Sequence, residues 1–385
     1  MKIFLPLGLC AILSMLFASC ASVPVSLPPT QLLHDELFAP PSARIDADDI
    51  FKASDAMKRY LQNDIAAQLR VKGPRQGLID ALNNKHQLKL DYDGAMTRNA
   101  AQTFEDRAGN CLSLVIMTAA LAREMGMPVQ FQSVLVDENW SRSGGIHFTS
   151  GHVNLVVGRP HSDFKGSYED NAHITIDFIE PGANRHRRAR PIRRETVSAM
   201  FMNNRSAEAL ADGQFSEAYW WVREAIRQDP DFLSAYNTLG VIYRRNGNTV
   251  EAEQAFRYTL AREPANILFM SNLAMVLTDE GRINDAKALM DQVERKRPFA
   301  PFHFFNLGTE AMQAGDFKTA RDMFTRELER DPYNHEFHFW LAAALTRLGD
   351  LPLAKRHLGI AMEFSTTRRE RDIYAAKLDR IKAVN

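Results

Sequence analysis

Apolar positions change their spacing three times along this chain. An apolar stretch, Ile3 to Phe17, comes first, interrupted only by Pro6, Gly8 and Ser14. Residues 20–47 hold Pro24, Pro28, Pro29, Pro40 and Pro41 and show little periodicity, so they are expected to form a tether with one short ordered piece around Leu32 to Phe38. From Ile50 the apolar residues Phe51, Met57, Tyr60, Leu61, Ile65 and Leu69 fall on one face of a helix. More helical spacing follows as far as Gly109. Strand-like runs then occur at Val129–Val136, His152–Val157 and Ile174–Ile179, giving a mixed α+β domain over residues 48–198.

Beyond residue 199 the pattern is periodic at long range. Glycines recur every 34 residues at 213, 247, 281, 315 and 349, and alanines keep the same step at 218, 252, 286, 320 and 354. Pro230, Pro264, Pro298 and Pro332 share the period, as do Leu239, Leu273, Leu307 and Leu341. Glycine relieves a tight turn after one helix, alanine lets two helices approach closely, and proline ends the second helix. This spacing resembles the tetratricopeptide repeat, which implies an all-α solenoid of five helix pairs over 199–366 and a polar capping helix over 367–385. The first unit carries Arg205 where the others carry leucine, so its outer face is expected to pack on the preceding domain. First-helix positions Asn237, Arg244, Arg245, Phe302, Phe305, Phe339 and Arg347 are candidates for a groove that takes a protein or peptide partner, since arginine and aromatic side chains anchor interfaces.

At 385 residues, two domains are expected. The formal charge of zero argues against nucleic acid as a partner. One local run is basic, Arg185 to Arg190 continued by Arg193 and Arg194, and reads as a solvated edge at the domain junction. Lys2 and the apolar stretch after it end in Leu16-Phe17-Ala18-Ser19-Cys20, which resembles the lipobox of bacterial lipoproteins. The resemblance implies removal of residues 1–19, lipidation at Cys20 and a place in the cell envelope, with Ala21 pointing to the outer membrane, facing the periplasm. Cys111 then remains as an unpaired thiol.

Cys111 opens an apolar helix after Ala108-Gly109-Asn110, where backbone N–H groups and the helix dipole favour a thiolate. That contribution is worth only about 0.3–1 kcal/mol, so an imidazolium partner is needed as well. His152 is the expected base and Asp177 the group that orients it, with His147 a competitor on a serine- and glycine-rich loop. Gln102 and Asn110 are candidate oxyanion donors beside the Cys111 N–H. A zinc site of His147, His152 and Cys111 fits no usual ligand spacing, and no cofactor is expected. The segment Thr103 to Cys111, the later Gly126-Met127-Pro128, the run Gly151-His152-Val153-Asn154 and the run Ile174 to Pro181 together resemble the transglutaminase-like cysteine hydrolase superfamily. That resemblance implies a papain-like α+β fold over about 50–195 and a Cys-His-Asp hydrolase or acyltransferase acting on peptide or isopeptide amides. The alternatives are a non-enzymatic repeat scaffold with a degenerate thiol domain, and a cell-wall peptide amidase.

Overall fold

The computed structural model describes residues 30–83, 88, 90–143, 146–158, 173–178, 189–299, 302–365 and 367–383; for 83, 135–143 and 146–151 the description is of the backbone. The segment 1–19, Cys20, Arg185–Arg188 and the His147 side chain lie outside the described residues.

The N-terminal part begins with a 3₁₀ turn, Asp48–Phe51, and α1, Asp55–Arg59, which Ser54 caps by accepting the Met57 N–H. A π-helical turn, Tyr60–Asp64, leads to α2, Ala66–Lys72, and α3, Pro74–Asn83. A two-residue strand β1, Asp91–Tyr92, precedes α4, Ala100–Asp106, and pairs in parallel with β2, Ala108–Gly109. Helix α5, Cys111–Glu124, is buried at every residue from Leu112 to Ala122. A helix apolar all round belongs in the interior, and α5 is the centre of this core. Gly126, in the left-handed region, turns the chain into the sheet.

That sheet has the order β5-β4-β3-β6, with antiparallel neighbours throughout: β3, Val129–Ser143; β4, Ile146–Val157; β5, Ile174–Ile176; and β6, Ala189–Ile192. The hairpin β3–β4 is longer than the apolar alternation indicated, and its register shifts between Val134 and Asn139. Val153, Leu155 and Val157 face the core. His152, Asn154 and Val156 occupy the opposite face, as period-two alternation requires.

The repeats are ten helices in five pairs: α6, Arg194–Ala211, with α7, Phe215–Gln228; α8, Leu233–Asn246, with α9, Thr249–Arg262; α10, Ile267–Asp279, with α11, Ile283–Lys296; α12, His303–Ala314, with α13, Phe317–Arg330; and α14, His335–Leu348, with α15, Leu351–Glu363. All five periodic glycines have positive φ, 76° to 90°, at the turn inside a pair. The period therefore follows from a backbone conformation that other residues enter only at a cost. The periodic alanines are buried where the paired helices meet. Leu239, Leu273 and Leu341 are buried, but Leu307 is 39% exposed, so the fourth repeat uses its neighbours Phe304 and Phe305 instead. The apolar interior divides here. One cluster runs from Leu32 through the sheet to Ala286, and a second joins α12 to α15 with Leu378 and Ile381.

Those last two residues belong to α16, Arg368–Ala383, which covers the fifth repeat. Tyr374 stacks on Phe339 with centroids 4.9 Å apart and shares a 2.8 Å hydrogen bond with His335 Nδ1. Beneath it His338 Nδ1 lies 2.9 Å from His357 Nδ1, while His338 Nε2 donates to the Pro332 carbonyl at 3.0 Å. Burial lowers both imidazoles, and His357, repelled also by His338 and Arg356, falls to about 4. A histidine depressed in the folded state stabilises above its unfolded value of about 6.5 and loses that contribution as pH falls toward 4. Urea unfolding of the fourth and fifth repeats is therefore expected to weaken by on the order of 1–2 kcal/mol between pH 7 and pH 4.5, discounted for the partial exposure of His357. His357→Gln should remove most of that slope; an unchanged slope would discount the pair.

Residues from Thr30 onward dock on the repeats, the short ordered piece around Leu32 to Phe38 among them. Phe38 stacks on Tyr219 at 4.1 Å, and Trp220 Nε1 donates to the Ala39 carbonyl at 2.7 Å. Asp35 accepts from Tyr219 Oη at 2.6 Å and from Arg223 Nε at 2.8 Å, and Tyr243 Oη donates to the Leu32 carbonyl at 2.9 Å. Leu32 and Phe38 are buried by this contact. Breaking the stack with Phe38→Ala is expected to cost about 3 kcal/mol or more of overall stability, read from the urea midpoint.

Candidate active site

Asn110 is the N-cap of α5: its Oδ1 accepts the Ser113 N–H at 2.9 Å, leaving Cys111 as the first helical residue. Gly109 admits no side chain here, since a Cβ would lie 2.7 Å from that of Ser113. The cap is braced from behind. Asn110 Nδ2 donates to Thr97 Oγ1 at 2.9 Å, Thr97 N–H donates to Glu208 at 2.7 Å, and Arg205 holds the other Glu208 oxygen at 2.7 Å. Arg205, the residue that breaks the repeat pattern, thus ties α6 to the turn behind Cys111 and also lies over the Trp221 ring. Arg98 bridges Asp93 at 2.9 Å and Asp106 at 2.7 Å, fixing the same turn.

His152 stands on β4 with its ring almost wholly buried. Strands β4 and β5 pair Leu155 with Ile176, so continued register sets Asp177 opposite Asn154 rather than opposite His152. The carboxylate reaches both: His152 Nε2 meets Asp177 Oδ1 at 2.6 Å, and Asn154 Nδ2 donates to Oδ2 at 3.3 Å. His152 Nδ1 is buried with no hydrogen bond of ordinary geometry, and the Cys111 sulfur lies close enough to the ring to interact with it. Burial by itself would lower the imidazole, but the Asp177 carboxylate and the Cys111 sulfur outweigh it and raise His152 to about 9. The ring is therefore cationic at neutral pH, between a carboxylate and a thiol. Such a group can stabilise a thiolate and return its proton to a leaving amine.

Of the two expected oxyanion donors, Asn110 is corrected, and the side-chain oxygen of Gln102 is taken up in a helix cap. Asn110 spends both ends of its side chain on the cap and on Thr97. Gln102 is the third residue of a capping box on α4, its Oε1 accepting the Asn99 N–H at 3.1 Å while its own N–H meets Asn99 Oδ1. A tyrosine stands nearby instead: Tyr92 pairs with Gly109 across β1–β2, and its phenol lies close enough to the Cys111 backbone N–H to interact with it, without a hydrogen bond of ordinary geometry. The alternation Leu88, Leu90, Tyr92 marked that strand in the sequence.

Most of the expected groove residues are also engaged within the fold. Phe302 and Phe305 are buried at 2% and 1% exposure and pack on Phe337, because this repeat lacks its buried leucine. Asn237 accepts from Asn272 at 2.7 Å, Arg244 is paired with Asp279 at 2.6 Å, Arg347 lies over Phe317, and Phe339 is under α16. Arg245 is exposed. In the basic run, Arg193 binds Asp229 at 2.9 Å and Arg194 covers Phe51, so these arginines join the two halves of the chain. Among the described residues no group of three or more His, Cys, Asp or Glu is placed to hold a metal ion, and no helix is long and apolar enough to cross a membrane.

Family models described as tetratricopeptide repeat match residues 222–254, 243–303 and 305–354. The chain carries tetratricopeptide repeats. It is 29% identical over 160 residues to cellulose synthase operon protein C of Pseudomonas fluorescens (strain SBW25), and 25% identical over 156 residues to the TPR repeat-containing protein YvcD of Bacillus subtilis (strain 168); each match covers 40% of this chain. The matched parts span 12% and 32% of those relatives. Among solved structures, a thermophilic TPR protein of Thermus thermophilus matches 47% of this chain and 98% of its own at 18% identity, with a TM-score of 0.29. The pilF protein of Pseudomonas aeruginosa matches 48% and 91% at 17% identity, with a TM-score of 0.26. Tetratricopeptide arrays suit protein–protein interaction, and that level of function is carried by the repeats.

Proposed function

We propose that this protein is a repeat adaptor that brings a polypeptide to a thiol site of hydrolase or acyltransferase type, anchored in the cell envelope through Cys20 and facing the periplasm. The single observation that supports the chemistry is the 2.6 Å His152–Asp177 pair with the Cys111 sulfur close enough to the imidazole to interact with it. In this reading the Cys111 thiolate attacks an amide carbonyl and the cationic His152 protonates the departing amine. Water, taken up with His152 as base, then cleaves the thioester and frees the acid. Asp177 keeps the ring in the tautomer that presents Nδ1 to sulfur. The test is alkylation of the full chain by iodoacetamide between pH 5.5 and 8, with Cys111→Ala as the blank. An ion-paired thiolate is expected to react at pH 6 at least about ten times faster than free cysteine; a rate that tracks free cysteine would end the proposal.

A second reading is a non-enzymatic scaffold, favoured by the family-model matches, all of which fall within the repeats. It predicts that Cys111→Ala leaves partner capture by the intact protein and the cellular phenotype unchanged. For the anchor, Cys20→Ser is expected to abolish incorporation of labelled fatty acid and release the protein from membranes.

A further inference from the structure

An acyl-transfer site must hold the carbonyl oxygen as it becomes negative, and one amide is rarely enough. The Cys111 N–H is the first of α5, one of those that a helix leaves without an internal acceptor, and the Asn110 side chain serves Ser113 instead. What stands at this N–H comes from β1. The parallel ladder sets Tyr92 beside Gly109, two residues before the thiol, and Asp93 N–H donates to the Gly109 carbonyl at 3.0 Å. The strand is held from both sides: Asp91 N–H donates to the Arg107 carbonyl at 2.9 Å, and Arg368 of the capping helix α16 grips the Asp91 carboxylate at 2.7 Å.

Resting on the thiol reading above, we infer that Tyr92 is a catalytic residue, the second donor to the oxyanion formed on Cys111. In the free protein the β1–β2 pairing sets Tyr92 beside the turn into α5, with its phenol within interacting distance of the Cys111 N–H. A substrate carbonyl oxygen enters between the two groups, accepts the N–H, and turns the phenolic O–H toward itself. When sulfur attacks, the C–S bond forms and the carbonyl π pair moves to oxygen, where the N–H and O–H hold it. Collapse of that oxyanion expels the leaving group and leaves a thioester, which water hydrolyses to regenerate the thiol. Burial, and then the nearby sulfur, push the Tyr92 phenol upward, so it stays protonated and remains a donor. The two roles use the same contact and differ only in which oxygen the N–H meets.

Tyr92→Phe keeps the ring and deletes the donor. Two probes separate the roles: p-nitrophenyl acetate, whose acylation passes through an oxyanion, and iodoacetamide, whose displacement at carbon does not. The Cys111-dependent hydrolysis of the ester is expected to fall about 100-fold, with alkylation of Cys111 within about two-fold of wild type. Undiminished ester hydrolysis overturns the inference. An equal fall with both probes overturns it too, since Tyr92 would then only hold Cys111 in place. Failure of the underlying thiol reading looks different: ester hydrolysis would survive Cys111→Ala, or wild-type alkylation would be as slow as that of free cysteine.

Discussion

Asp177→Asn is expected to lower Cys111-dependent acyl transfer by on the order of 10³-fold or more, with little change in the fold. The carboxylate accepts only, so it fixes the His152 proton on Nε2 and leaves Nδ1 to exchange a proton with sulfur. An asparagine can present its NH₂ to Nε2, which moves the proton of the neutral ring to Nδ1, where it can no longer receive the thiol proton. The substitution also removes the strongest hydrogen bond that raises His152, while the Cys111 sulfur still acts on the ring, so the imidazole should fall below about 9. The pH dependence has a definite sign. A histidine raised in the folded state stabilises fully below its unfolded value and loses that contribution as pH rises through about 9. Wild type should therefore exceed Asp177→Asn in stability by on the order of 1–2 kcal/mol at pH 6, with the gap closing by pH 10. Urea midpoints at the two pH values, beside a pH profile of iodoacetamide alkylation, measure both effects. A variant with wild-type alkylation at pH 6 and a gap independent of pH would mean that the pair does not poise the thiol.

Phe324→Ala is expected to cost about 3–5 kcal/mol, enough to unfold the last two repeats before the rest of the chain. Phe324 is fully buried between Phe305, at 5.6 Å, and Trp340, at 6.1 Å, and it fills the space left by Gly308. A Cβ on Gly308 would lie 2.5 Å from the Phe324 ring, so helix and ring are fitted to each other and the cavity cannot close cheaply. Repeats exchange energy only with their neighbours, and the apolar interior is already divided ahead of α12. The loss should therefore stay local. Hydrogen exchange in α12–α15 should accelerate under conditions that leave α5 and α7 protected. A single cooperative shift of all segments would show instead that the two clusters unfold as one.

Much of this architecture was legible in the residues. The 34-residue step located the helix pairs, and the Arg205 departure marked where the array meets the first domain, although its partner Glu208 carried no signal of its own. Asn110 before Cys111 specified a capped helix start. Cys111, His152 and Asp177 stand out in the sequence, whereas Tyr92 carries little signal because β1 is two residues long, and the nearness of Gln102 and Asn110 to Cys111 in sequence does not fix where their side chains go. Their side chains answered a nearer demand, the unsatisfied N–H groups of their own helices. Phe302 and Phe305 read as groove residues on repeat register; Leu307 turned outward, and those rings filled the interior it left.

The sequence by itself determined the elements whose causes are local: caps, left-handed glycines, the all-apolar α5 and the repeat period, each set within a few residues or between adjacent units. Tertiary structure alone decided the β4–β5 register that brings Asp177 across from Asn154, the pairing of Tyr92 with Gly109 beside Cys111, and the docking of residues 30–38 on the repeats. Such contacts join segments 17 to more than 200 positions apart. No local preference encodes them, because they depend on which apolar faces the whole chain can bury together.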